Sequence, residues 1–116
     1  LLVFFKFLFL QQILMEMEID LERITEMENA LNQTDQLIKE MENLLKKWEE
    51  NLPNYQKLYS YYYSEEWRKD FEAANENKFP VGFPHGVLSE DAAYNTLGDF
   101  RELSLRMLKI GVKGVE

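Results

Sequence analysis

An all-α fold is expected from three features of the 116-residue sequence. Apolar residues return every three or four positions from Met17 to Tyr62, the spacing of a helix with one greasy face. The same stretch is rich in Glu, Leu, Met, Lys and Gln and has no Gly, and no Pro before Pro53. Downstream, Ser64 and Ser89 each stand just ahead of two acidic residues and a helically spaced apolar run. The expected architecture is a long amphipathic helix, a short second helix, and a third helix packed antiparallel on the first. Residues 16–111 form its single domain, residues 1–15 are an apolar leader outside it, and residues 112–116 are a tail.

Written as a heptad, the long helix carries Met17, Ile24, Leu31, Ile38, Leu45, Leu52 and Tyr59 at position a. Position d carries Met27, Thr34, Met41, Trp48, Tyr55 and Tyr62, with Asp20 interrupting the row near its start. At about 1.5 Å per residue this helix is roughly 70 Å long, more than the remaining residues can cover. Pro53 removes one backbone donor and disfavours helical geometry at Leu52. The heptad phase nevertheless continues through it, so a kinked but continuous helix is expected rather than a reversal.

Ser64 suits an N-cap, Glu65 and Glu66 suit the positive end of a helix dipole, and Trp67, Phe71 and Ala74 fall on one face. This second helix should end near Asn77. The segment KFPVGFPHG, with two Pro and two Gly, is irregular, and Phe79, Val81 and Phe83 suggest an apolar strap across the core. Ser89, Glu90 and Asp91 open the last helix in the same manner as Ser64 opens the second. Its buried stripe is expected to be Ala93, Leu97, Phe100, Met107 and Leu108 with Leu103 and Ile110 alongside, and Gly111 is its expected stop. Such a helix spans about 30 Å and can cover only the aromatic-rich half of the first.

The formal charge is −8. Between Glu16 and Asn51 eleven carboxylates face four cations, a local net of −7, which disfavours nucleic acid and anionic membrane as partners. Cysteine is absent, so disulfides and thiolate sites are excluded. The opening LLVFFKFLFLQQILM is apolar except for Lys6 and two Gln, too short for a bilayer span of about twenty residues, and lacks a signal-peptide cleavage site. It reads best as a translated leader upstream of a start at Met15 or Met17. A truncated membrane anchor and a genuine apolar turn are the competing explanations, and a membrane partner is expected only if the segment is genuine. Location in the bacterial cytoplasm fits these features.

At YYYSEEWRKD and HGVLSEDAAYNTLGDFRELSLRML the chain resembles a bacterial family called domain of unknown function 4298. The likeness runs from about Leu21 to Ile110. It rests on Tyr62, Tyr63, Ser64, Trp67, Asp70 and Pro80, and on Gly86, Val87, Leu88, Ser89, Glu90, Asp91, Tyr94, Leu97, Leu103, Met107 and Leu108. His85 stands where that family commonly has a basic residue, and Pro53 departs from the pattern. The resemblance implies a small all-helical intracellular protein without an assigned activity.

Two sets of residues are candidates for function. Tyr62, Tyr63, Trp67 and Asp70, with the Ser89, Glu90 and Asp91 turn, could wall a polar aromatic pocket in which amides of the last helix hold an anion or the Asp70 carboxylate. The plainer expectation for them is a core whose hydroxyls and indole find local partners. Met17, Ile24, Met27, Leu31, Thr34, Ile38 and Met41 form the interaction seam, soft enough to repack against different partners. His85 near Glu90 and Asp91 lacks any metal-ligand spacing, and no serine has a base beside it. No metal, cofactor or catalytic residue is expected. The chain reads as a non-catalytic, adaptor-like protein that binds a protein partner or a second copy through its long helix. The alternative is an acidic inhibitor that mimics nucleic acid and blocks a basic site on a target.

Overall fold

The computed structural model describes residues 1–16 and 19–116, and among them there are helices and no strands. Helix α1 is Leu2–Glu16, α2 is Leu21–Tyr62, α3 is Glu65–Asn75 and α4 is Glu90–Val115, with a 3₁₀ turn at Gly86–Leu88 between the last two. The chain divides into two compact units, Leu1–Lys47 and Trp48–Glu116.

In the first unit, α1 is apolar except for Lys6, Gln11, Gln12 and Glu16, which do not gather on one face, so it has neither a distinct polar face to turn to water nor a single face to bury. Its Phe and Leu side chains are exposed. Asp20 fixes where α2 begins: its carboxylate accepts the backbone N–H of Arg23 at 2.9 Å. The residue expected to interrupt the seam is therefore the helix cap, and the helix starts at Leu21 rather than near Glu16. Thr34, the polar member of the seam, donates its hydroxyl to the Ala30 carbonyl within the same helix at 2.7 Å.

The second unit is built on aromatic stacking. Phe100 of α4 lies flat on Tyr55, centroids 3.8 Å apart, and on Trp48 at 4.4 Å. Tyr62, further along α2, donates its hydroxyl to the carbonyl of Glu90 at the start of α4. Contacts that advance along α2 thus retreat along α4, which is the antiparallel packing the sequence predicts. Helix α2 continues through Pro53 without a break.

Ser64 accepts the Trp67 backbone N–H at 3.2 Å and caps α3. At the other end, Asn77 takes a left-handed conformation (φ 56°) while Lys78 N–H bonds Ala73 O and Asn77 N–H bonds Ala74 O. That paired closure satisfies the final carbonyls and stops the helix. Phe83 N–H then bonds Pro80 O in a turn that places Gly82 at φ 83°, a conformation that glycine adopts without strain.

Three expectations for this unit are corrected. Val81 is fully exposed, so the strap does not lie across the core; Phe79 instead stacks on Phe83 and leans on His85 within the loop. The inward stripe of α4 is Ala93, Leu97, Phe100, Ser104 and Met107, a regular four-three alternation, whereas Leu108 is 68% exposed because it sits one helical step off that line. Leu103 and Ile110 are exposed as well. Gly111 does not end α4, which runs to Val115; a glycine in an exposed last turn costs only about 1 kcal/mol of helix propensity.

Candidate functional site

Residues of the expected polar-aromatic pocket pack on one another, but their hydrogen bonds go mostly to nearby backbone groups and to Tyr61. Trp67 stacks on Phe71 and meets Tyr62 edge-on at 5.0 Å, and its indole N–H donates to the Val87 carbonyl at 2.9 Å. That bond ties α3 to the turn that leads into α4. Tyr62 uses its hydroxyl on Glu90 O, and Tyr63 lies against Tyr62 while staying largely exposed. Ser89 accepts the Ala92 N–H as an N-cap, with Glu90 and Asp91 in the first turn beside the helix dipole.

Asp70 does not reach the amides of α4. Its carboxylate accepts a short hydrogen bond, 2.5 Å, from the hydroxyl of Tyr61. Tyr61 is thus the partner that the sequence reading overlooked. In a run of three consecutive tyrosines each ring points about 100° from the last, and nothing in the run says which one turns toward α3. Burial, and then the bond to Asp70 and the charges of Asp70 and Glu66, push the Tyr61 phenol up to about 12. Burial also raises the Tyr62 phenol, helped by Tyr63 and Glu90. Phenols held protonated in this way are donors of structural hydrogen bonds and poor acids or bases near neutrality.

Around this cluster lie open grooves. One of about 550 Å³ is lined by Pro53, Gln56, Lys57, Ser60, Tyr61, Ser64 and Glu66. His85 has an aromatic neighbour, Phe79, and among the described residues no three His, Asp or Glu side chains converge as metal ligands.

The seam is arranged quite differently. Met17 lies outside the described residues. Its other members stand on one face of α2 in the first unit, and the apolar ones are left open, from 41% exposed at Met41 to 56% at Met27. Leu37, Leu44 and Leu45 broaden the stripe and are equally exposed. Thr34 spends its hydroxyl inside the helix, so it adds no unsatisfied polar group to the surface. Among the described residues no helix is long and apolar enough to cross a membrane.

The family model described as a domain of unknown function (DUF4298) matches residues 24–110, a span that takes in most of the seam and the whole aromatic cluster. No curated protein and no solved structure matches the chain.

Proposed function

The chain belongs to this family, and on that premise we propose that it is a small, non-catalytic helical protein that works by docking a protein partner along the open stripe of α2. One observation carries the reading: eight apolar side chains between residues 24 and 45 share one face and are each about half exposed. At roughly 90 Å² apiece they offer roughly 700 Å² of apolar surface, comparable to the ~800 Å² each partner contributes to a standard interface. Scattered single apolar residues need no explanation, but a contiguous strip of this size does. The aromatic cluster of the second unit is compatible with the same reading, since the Tyr61 and Tyr62 hydroxyls, the Trp67 indole and the Asp70 carboxylate are hydrogen-bonded within the fold.

The acidic-inhibitor reading draws on the exposed carboxylates of α2. Its best row, Glu28, Asp35 and Glu42, repeats every seven residues, about 10.5 Å along the axis. A duplex presents one charge per about 1.7 Å of axis, so the row is a sparse mimic and the apolar stripe is the better guide.

Replacing Leu31 and Ile38 together by Asp places two charges in the middle of the stripe. Both residues are exposed, so the second unit should stay folded, with unchanged aromatic circular dichroism. Self-association in sedimentation velocity, or capture of an apolar helical peptide, should be lost. Sedimentation and capture both unchanged would remove the reading.

A further inference from the structure

The edges of the stripe define the chemistry of what docks there. With 100° between successive residues, the row of Met27, Thr34 and Met41 runs down the centre of the stripe. One rim, about 100° away, carries Glu28, Asp35 and Glu42; the opposite rim, at the same angle the other way, carries Glu26, Gln33 and Glu40. Neither rim has a Lys or Arg between residues 24 and 45, because Lys39 lies about 160° from the centre, at the back of the helix. All five carboxylates are exposed, and none is in an ion pair among the described residues; Glu40 accepts a hydrogen bond from Gln36. Lys39 and Lys46 follow Asp35 and Glu42 by four residues, yet form no ion pair with them. An exposed pair at that spacing is weak enough for a partner's cation to displace.

From this apolar strip between two acidic rims we infer that the occupant is an amphipathic helix of another protein whose apolar face is flanked on both sides by Lys or Arg. The inference rests on the docking role proposed above and specifies the partner. A second copy of this chain fits poorly. Both rims are acidic, so a copy running in either direction would set carboxylates against carboxylates, and like charges across an interface are a means of excluding wrong partners. A basic helix would place cations over five carboxylates that have no ion pair among the described residues while covering the strip, the helix-in-groove mode of recognition with a charge code added.

The test uses the full chain and three synthetic helical peptides of ~21 residues, three heptads, that share one Leu/Ile face and differ only in having Lys, Gln or Glu along both rims. Binding is read by fluorescence anisotropy at low and high salt. Five exposed rim pairs, each worth a factor of about 1.6, multiply to roughly tenfold tighter binding of the Lys peptide than the Gln peptide at low salt. The gap should close near 1 M salt, and the Glu peptide should bind weakest. The triple change E28K, D35K and E42K, all on the exposed surface of α2, should reverse the preference toward the Glu peptide.

Equal binding of the Lys and Gln peptides, lost from both on L31D/I38D, overturns the basic-partner inference and leaves the docking strip standing. Salt-insensitive self-association through the strip that shuts out every peptide makes a second copy the occupant and overturns it as well. Binding of no peptide by a chain that sediments as a monomer removes the strip itself. Lys-peptide binding that survives L31D/I38D and vanishes with salt points to the carboxylates alone and overturns both readings.

Discussion

Phe100→Ala tests whether the second unit is held by the aromatic sandwich. The ring of Phe100 lies parallel to Tyr55 (13°, 3.8 Å) and to Trp48 (12°, 4.4 Å), so its removal deletes both stacked pairs and opens the space between α2 and α4 in that unit. A fully buried Phe→Ala change costs about 3–5 kcal/mol, and because this ring is mostly but not fully covered its share is at least about 2 kcal/mol. Each stacked pair adds about 0.5 kcal/mol or more beyond area, so the loss should be about 3 kcal/mol. At roughly 5 °C per kcal/mol for a unit of this size, the melting temperature should fall by about 15 °C. Urea unfolding followed by far-ultraviolet circular dichroism and tryptophan fluorescence measures the first, and a thermal melt read by the same signals measures the second. Leu108→Ala is the internal control, because that side chain is 68% exposed and its loss should change stability by less than about 0.5 kcal/mol. A Phe100→Ala loss below about 1 kcal/mol, or one matched by Leu108→Ala, would refute the packing argument.

Two further outcomes are expected. The Tyr61 phenol is held protonated up to about 12, above its ordinary value of 10, so its contribution to stability is complete below pH 10 and is lost as pH rises from 10 toward 12. Tyr61→Phe should cost about 1 kcal/mol at neutral pH and flatten that part of the alkaline stability profile; an unaltered profile would show that the Asp70 bond is not its source. Deleting residues 1–14 removes side chains that are mostly exposed, so the melting transition reported by the aromatic signals of the second unit should move by less than about 2 °C. A larger shift would show that α1 supports the fold.

The elements themselves were legible because their signals are local. Ser64 and Ser89, each followed by acidic residues, marked two helix starts that the structure places one residue later, at Glu65 and Glu90. What escaped was information that only tertiary placement supplies. Leu108 and Ala93 look equally suited to a buried stripe, and only the position of Phe100 between Trp48 and Tyr55 sets which line of α4 turns inward. Tyr61 and Tyr62 are likewise indistinguishable as letters, yet one bonds Asp70 and the other Glu90 O. Asp20 was misjudged for a related reason: an acidic residue in a d position can break a seam or cap the helix that carries it, and the two differ by where the helix begins.

The candidate surface was visible as a periodic pattern, but the pattern alone could not separate a core from an interface. From Met17 to Tyr62 the heptad is continuous, and nothing in its phase changes at residue 47 or 48. Its composition does change, from Ile, Leu and Met with Asp20 and Thr34 to Trp and Tyr with Leu52. Flat rings with polar ends are suited to stack on a single fixed neighbour and hydrogen-bond at its edge, as Tyr55 and Tyr62 do. Flexible thioethers and aliphatic chains carry no such directional demand and can conform to a partner of a different shape. In the second unit Trp48, Tyr55 and Tyr62 are mostly covered by contacts within the fold, and in the first the aliphatic stretch stays about half exposed. Exchanging Met27 and Met41 for Ile would keep the area and remove the plasticity. The exchange should therefore narrow the range of helical peptides the strip accepts while leaving binding to the best-fitting one within about threefold, a loss of at most ~0.7 kcal/mol.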